Sequence, residues 1–276
     1  MRKTLSFSLV FMLILSCFAM TAFAAEPRSS VGVFIDGTEF GGGIVVKDAT
    51  TFVGIRKFST TMNSYASVKY DYSTRTLTVS TSNLYLTAKD GQNYIVANGR
   101  YLYTESPIFM RNGTMYAPVL LMAKAFGAQI RWSNPTHSFN ITKGSGGIVS
   151  GEQFYREDEV YWLSRIINAE SGGEPLLGKI AVGNVILNRV RHSYFPNTIY
   201  GVIFDKKNGV QFSPTTNGMI YKTPNEQSII AARICLEGYS VNNEILYFVN
   251  PAIVPNCWVC KNRELYAKIG NHSFFD

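Results

Sequence analysis

The run Ile180-Ala181-Val182-Gly183-Asn184-Val185-Ile186-Leu187-Asn188-Arg189-Val190 is apolar nearly all round a helical wheel. A surface helix keeps one polar face, so a segment without one has to be surrounded by other elements. It is also shorter than the roughly 20 apolar residues that cross a bilayer. The C-terminal part of the chain must therefore build itself around a buried central helix. Glu174-Pro175 marks its start, because proline fits the first helical turn, where the missing N–H costs nothing.

A second helix is expected just before it, over residues 157–170. At about 100° per residue, Val160, Leu163, Ile166 and Ile167 share one face, and Glu170 projects into the middle of that face. Glu157, Asp158 and Glu159 at its start suit the positive end of the helix dipole. A carboxylate among apolar residues costs several kcal/mol or stays protonated. A carboxylic acid held neutral near pH 7 is what a general acid for glycoside cleavage requires. Ser171-Gly172-Gly173 then breaks the helix where backbone can approach a ligand closely.

Further on, Phe195-Pro196-Asn197-Thr198 caps a short helix ending near Phe204. Asn208-Gly209 and Asn217-Gly218 flank Val210-Gln211-Phe212-Ser213-Pro214, which predicts a small hairpin. Thr223-Pro224-Asn225-Glu226 reads as a capping box opening a helix that ends at Gly238. The expected fold class is α+β, with a mainly helical C-terminal domain carrying a β-hairpin insertion. Cys235 belongs to the apolar side of that last helix and is expected in the core. Cys257-Trp258-Val259-Cys260 predicts either a local disulfide or two free thiols. Without a second ligand pair it makes a poor zinc site.

Residues 31–143 hold an internal repeat about sixty residues apart. One unit contains Thr51-Phe52-Val53-Gly54-Ile55-Arg56-Lys57-Phe58, then Ala66-Ser67-Val68-Lys69-Tyr70-Asp71, then Thr76-Leu77-Thr78-Val79. The other contains Met115-Tyr116-Ala117-Pro118-Val119-Leu120-Leu121-Met122, then Ala128-Gln129-Ile130-Arg131-Trp132-Ser133, then Ser138-Phe139-Asn140-Ile141. Each is expected to be a short helix followed by two alternating strands, so this is a duplicated small α+β domain. Asp36-Gly37, Asn98-Gly99 and Asn112-Gly113 are hairpin turns. Residues 144–151, Gly144-Ser145-Gly146-Gly147-Ile148-Val149-Ser150-Gly151, have the composition of a flexible linker and divide this domain from a second one over 152–276.

At the N-terminus, Arg2 and Lys3 precede an apolar stretch that ends at Ala22-Phe23-Ala24. That is the pattern of a secretory signal peptide over residues 1–24, ahead of a lipoprotein reading at Cys17. Export across the membrane is the expectation, with no membrane span in the mature chain. Residues 25–150 carry 12 Lys and Arg against 7 Asp and Glu, whereas residues 151–276 carry 12 of each. The basic excess suits an anionic wall polymer, and export argues against nucleic acid. His137, His192 and His272 lie far apart without metal-ligand spacing, so no metal and no cofactor are implied.

Residues 31–143 resemble the copper amine oxidase N-terminal-like domain, with Gly54 standing where that family usually has proline. The resemblance implies a non-catalytic module for wall association or spacing. In the second domain, Asn168-Ala169-Glu170-Ser171-Gly172-Gly173-Glu174-Pro175, Gly178, Ile186-Leu187-Asn188-Arg189-Val190, Phe195-Pro196-Asn197-Thr198-Ile199, Gln211-Phe212-Ser213-Pro214, Tyr247-Phe248-Val249-Asn250-Pro251 and Ile269-Gly270-Asn271-His272-Ser273-Phe274-Phe275 are similar to the spore cortex-lytic cell-wall hydrolase family. Ser171 replaces the commoner alanine, and the Cys257 to Cys260 loop is a second departure.

That resemblance implies a lysozyme-like fold, peptidoglycan as partner, and cleavage between N-acetylmuramic acid and N-acetylglucosamine with Glu170 as the catalytic residue. A hydrolase of this kind usually needs a second carboxylate about 5–5.5 Å or 6.5–9.5 Å away. Glu174 is the nearest in sequence, either as that partner or as a structural residue. A lytic transglycosylase, which needs one carboxylate, is preferred over a hydrolytic muramidase or a non-catalytic wall-binding scaffold for germination. Gln211, Ser213, Tyr247 and Asn250 are the expected substrate-binding residues.

Overall fold

The computed structural model describes residues 31–254 and 257–276, so the expected signal peptide lies outside the described residues. The chain begins with strands β1 (Gly32–Ile35), β2 (Thr38–Glu39), β3 (Ile44–Lys47) and β4 (Thr50–Gly54), then helix α1 (Ile55–Met62) and strands β5 (Ser67–Asp71) and β6 (Thr76–Ser80). Strands β7 (Tyr85–Lys89), β8 (Tyr94–Ala97), β9 (Arg100–Tyr103), β10 (Phe109–Arg111) and β11 (Thr114–Pro118) lead to α2 (Val119–Ala125), β12 (Gln129–Ser133) and β13 (Ser138–Thr142). Three sheets result, in the orders β12-β13-β1-β2, β10-β11-β4-β3 and β5-β6-β7-β8-β9. They close around one apolar core containing Phe58, Leu86, Met122 and Phe126. The three Asx-Gly pairs adopt positive φ at both residues and turn the hairpins β1–β2, β8–β9 and β10–β11.

The two helical segments expected over residues 51–58 and 115–122 are each half strand. Chain pairing claims the β-branched and aromatic residues of β4 and β11, which hydrogen-bond to each other. The helices start only after Gly54 and Pro118, both with extended backbone at the N-cap.

The second half runs α3 (Gly151–Phe154), α4 (Glu157–Ser171), α5 (Leu176–Arg191), α6 (Ile199–Ile203), α7 (Pro214–Asn217), a 3₁₀ turn (Met219–Tyr221) and α8 (Glu226–Leu236). Strand β14 (Tyr247–Val249), helix α9 (Trp258–Asn262) and strands β15 (Leu265–Ile269) and β16 (His272–Phe275) complete it, the strands pairing in the order β14-β16-β15. Among the described residues no helix is long and apolar enough to cross a membrane.

Helix α5 is the buried axis, enclosed by α4, α6, α8 and the C-terminal sheet. Its buried polar side chains each reach at least one backbone carbonyl, although Arg189 Nη1 is buried without a partner among the described residues. The Asn184 Nδ2 donates to Tyr239 O at 2.9 Å, Asn188 Nδ2 donates to Asn242 O and Ile245 O, and Arg189 Nε donates to Leu246 O at 2.8 Å. These bonds pin the chain after α8 along α5. Cys235 is buried on α8 as expected, donating to Ile180 O.

Three expectations need correction. The hairpin around Val210-Gln211-Phe212-Ser213-Pro214 does not form. Phe212 is buried in the core and Pro214 opens α7 at its first position, ending on left-handed Gly218. Proline has no N–H for a ladder but presets helical φ. The N-cap of α8 is Asn225, whose Oδ1 accepts from Ser228 N, in place of Thr223.

The Gly/Ser segment 144–151 is no free tether. Asn83 Nδ2 donates to Ser145 O, Asn98 Nδ2 to Ile148 O at 2.7 Å, and Ile148 N to Ala125 O. A Cβ at Gly147 would collide with the Asn83 carbonyl, so its glycine serves close backbone approach rather than freedom.

The two halves form one compact unit, Val31–Asp276. The face of β8 and β9 carrying Tyr94, Val96, Tyr101 and Tyr103 packs into the helical core. At the edge of this interface Glu237, 3% exposed, accepts from Arg100 Nε and Nη2 at 2.7 and 2.8 Å, from Lys124 Nζ at 3.0 Å and from the Tyr155 hydroxyl at 2.9 Å. Burial alone would raise the Glu237 pKa, and these three donors override it and hold the carboxyl below its ordinary value.

Candidate active site

Glu170 sits in the last turn of α4, on the side that carries buried Leu163, Ile166 and Ile167. Its carboxyl is half-buried, and among the described residues it makes neither a hydrogen bond nor an ion pair. Burial pushes its pKa up to about 7, with no opposing charge to bring it down. The side chain is therefore poised between acid and base near neutrality.

Its backbone, by contrast, is held from three directions. Asn168 Oδ1, two residues before, accepts from Asn225 N at 3.0 Å and from Ser228 Oγ at 3.3 Å, which joins α4 to α8. Lys179 of α5, buried to 2% exposure, donates from Nζ to the carbonyls of Ser171 at 2.5 Å and Gly172 at 2.7 Å. These are terminal carbonyls with no partner inside the helix, where a cation is also favoured by the helix dipole. Burial lowers the Lys179 pKa, and Glu174 opposes that. Ser171 Oγ donates back to Ile167 O, and Glu174 N donates to Ser171 O.

Glu174 supplies the third tether. Its Oε2 accepts from Asn271 N and its Oε1 from Asn271 Nδ2, both at 2.9 Å. His272 Nδ1 lies 3.8 Å from Oε1. Burial pushes the Glu174 pKa up, but the two Asn271 bonds, His272 and Lys179 outweigh it and the carboxyl sits below its ordinary value. The imidazole of His272 is buried and correspondingly lowered. Gly270, at φ +61°, lets the β15–β16 turn close over this carboxylate, since a Cβ there would run into it. Glu174 thus spends both oxygens joining the start of α5 to the C-terminal sheet.

Of the expected substrate-binding residues, Gln211 and Tyr247 meet in one cavity of about 450 Å³, with Tyr194, Phe195 and Trp258 on its other walls. Gln211 Nε2 donates to Gly209 O, and Tyr247 lies against the guanidinium groups of Arg189 and Arg263. Ser213 is exposed at the N-cap of α7 and Asn250 caps a turn through Ala252 N, both outside that cavity's lining. Glu170 does not line it either. Cys257 and Cys260 hold their Sγ atoms 2.7 Å apart at the N-terminus of α9, beside Trp258.

Residues 173–275 match the Cell Wall Hydrolase family, and residues 35–141 match the copper amine oxidase N-terminal domain. The cell wall hydrolase CwlJ of Oceanobacillus iheyensis is 32% identical over 111 residues, covering 38% of this chain and 77% of that protein. The chain belongs to the cell-wall hydrolase family. The spore cortex-lytic enzyme of Bacillus cereus is 37% identical over 120 residues, 44% of this chain and 45% of that enzyme. The catalytic domain of the germination-specific lytic transglycosylase SleB from Bacillus anthracis is 36% identical over all of that chain and 47% of this one, with a TM-score of 0.41. The chain spans between 35% and 49% of the length of the spore cortex-lytic enzymes it matches. The Cell Wall Hydrolase match begins at Gly173, so Glu170 stands three positions outside it.

Lys179, Asn271 and Asn168 escaped the sequence reading as site residues. Lys179 left a signal, a cation inside a segment with no polar face. Asn168 and Asn271 stand in motifs similar to the family, but their partners come from distant segments that those motifs do not indicate.

Proposed function

We propose that this protein cleaves peptidoglycan glycan strands between N-acetylmuramic acid and N-acetylglucosamine as a lytic transglycosylase, with Glu170 as the catalytic residue. The observation that carries this reading is the Glu170 carboxyl, unpaired and with a pKa of about 7, on a backbone fixed by three neighbouring elements. Such a group donates a proton near neutrality and takes one back. Membership of the cell-wall hydrolase family, and relatives named as spore cortex-lytic enzymes, support the substrate.

In the proposed reaction the Glu170 carboxylic acid protonates the glycosidic oxygen as its bond to C1 of the muramic residue breaks. The resulting carboxylate then takes the proton of that residue's C6 hydroxyl while O6 bonds to C1. A 1,6-anhydro end forms, Glu170 regains its proton, and no water is consumed. Glu174 is proposed as a structural residue, because both its oxygens already serve Asn271. Gln211 and Tyr247 would hold acetamido sugar groups in their shared cavity, and Ser213 and Asn250 would contribute outside it.

We assign residues 31–143 as the duplicated, wall-associating domain, whose net positive charge suits an anionic wall polymer. Residues 144–151 connect it to a lysozyme-like domain over 152–276, and export to wall or cortex completes the reading. Mass spectrometry of digested peptidoglycan tests the reaction: 1,6-anhydromuramic ends are expected. Reducing muramic ends alone would replace the transglycosylase with a muramidase. Glu170→Gln should lose about 10²–10⁴-fold in rate, and an unimpaired variant would remove Glu170 from the mechanism.

A further inference from the structure

A cavity of about 1030 Å³ lies away from Glu170, between the N-terminal sheets and the helical half. Its walls include Asn98 and Gly99 of the β8–β9 turn, Tyr155, one face of α4, Thr223-Pro224 and part of α8. On α4 it takes Glu157, Val160, Tyr161, Ser164 and Arg165. At about 100° per residue these fall within an arc of about 140° whose midpoint faces roughly 150° away from Glu170.

Two guanidinium groups enter this cleft, and neither has a carboxylate partner among the described residues. The Arg165 guanidinium lies over the Tyr161 ring, 3.6 Å from its centroid, and that of Arg233 lies over the Tyr101 and Tyr155 rings at 5.6 and 5.7 Å. The Nε atoms of both are buried without a hydrogen-bond partner. Those Nε atoms are closed to solvent, so a ligand in the cleft would meet the Nη edges, and a guanidinium held over an aromatic ring is prepared for bidentate binding of a carboxylate there. Glu152 and Glu157 also line the cleft, so the two cations are balanced by two anions. A plain polyanion would be repelled by those glutamates. A peptide bearing both carboxylates and an amine matches the pattern.

We propose that this interdomain cleft binds the peptide stems of the wall polymer, with Arg165 and Arg233 taking stem carboxylates and Glu152 and Glu157 taking an amine. This rests on peptidoglycan being the substrate. The N-terminal domain then supplies one wall of a substrate site, and the glycan is gripped through its stems on the far side of α4 from the cleavage residue. The wall at Thr223-Pro224 is continuous with Asn225, which holds Asn168 and Gly172 beside Glu170.

The test is calorimetric titration of the full chain with a soluble sugar-free stem peptide containing a diamino acid, which has no glycosidic bond to cleave. Binding should weaken with salt and fall about tenfold when the peptide carboxylates are amidated. Arg165→Gln with Arg233→Gln should weaken it at least tenfold. Thr223→Glu, an exposed change on the cleft wall that leaves both arginines in place, should do the same. No binding to the parent protein, or equal affinity across these variants and peptides, would overturn the proposal. Digestion of peptidoglycan by the wild-type chain is measured separately and reports on the reaction alone.

Discussion

In the proposed reaction Glu170 serves as an acid only while protonated, and a pKa of about 7 sets two pH dependences. The rate of glycan cleavage should fall as pH rises through about 7, where the proton donor is lost. Stability moves the same way. A carboxyl whose folded pKa lies above its unfolded value favours folding when protonated, and that advantage is lost as pH climbs from the ordinary carboxylate range through about 7. Glu170→Gln removes the ionisation, so its melting temperature should exceed wild type by a few degrees at pH 8 and match it at pH 4. Equal melting curves at pH 8 would mean that the carboxylate is well solvated. The place of Glu170 on the apolar side of α4 was legible in the sequence because a charge there breaks the period of an amphipathic helix. Lys179 was harder to place. It lies in a helix apolar nearly all round, and its carbonyl partners belong to α4, so periodicity alone could not assign it a task.

The end of α4 is an element held by others, and on the proposed reading Lys179 and Glu174 position it and take no part in the reaction. Lys179→Met leaves the Ser171 and Gly172 carbonyls without their charged donor, which should cost about 2–3 kcal/mol and lower the melting temperature by about 4–12 °C. Glu174→Gln keeps acceptor capacity for one Asn271 bond and should lose far less activity than Glu170→Gln, while also melting earlier. A loss in Glu174→Gln as deep as in Glu170→Gln, without a stability change, would restore Glu174 as a second catalytic carboxylate.

Elements were legible where local chemistry decides them. The Asx-Gly pairs of β1–β2, β8–β9 and β10–β11 turn as expected because positive φ is a property of those residues. Asn208-Gly209 and Asn217-Gly218 misled because turns do not specify what lies between them. There Pro214 and the burial of Phe212 chose a helix. The strand halves of residues 51–58 and 115–122 were likewise hidden, since β4 and β11 are made by pairing with each other across sixty residues.

For the whole molecule, composition suggested two domains on a loose tether, whereas the structure packs β8 and β9 against the helical core and straps residues 144–151 down. Glycine content is read as freedom, yet glycine also permits backbone contact, and only the tertiary neighbours decide between the two. The Glu237 cluster is a charged link across the interface, with Arg100 and Lys124 from one half and Tyr155 from the other on a side chain 3% exposed. Removing one member of a buried pair costs more than the pair contributes, because the remaining charge stays buried and unpaired. Glu237→Ala should therefore destabilise the interface by about 3–5 kcal/mol and divide a single calorimetric unfolding transition into two. Because the Glu237 pKa is held below its ordinary value, the wild-type contribution is present above the unfolded carboxylate pKa and is lost as pH falls through the folded one. Acid should then split the wild-type transition in the same way, and a Glu237→Gln transition that is already split at pH 7 should change little on acidification. One unsplit transition in Glu237→Ala would show that the apolar contacts of Tyr94, Val96, Tyr101 and Tyr103 suffice to hold the halves together.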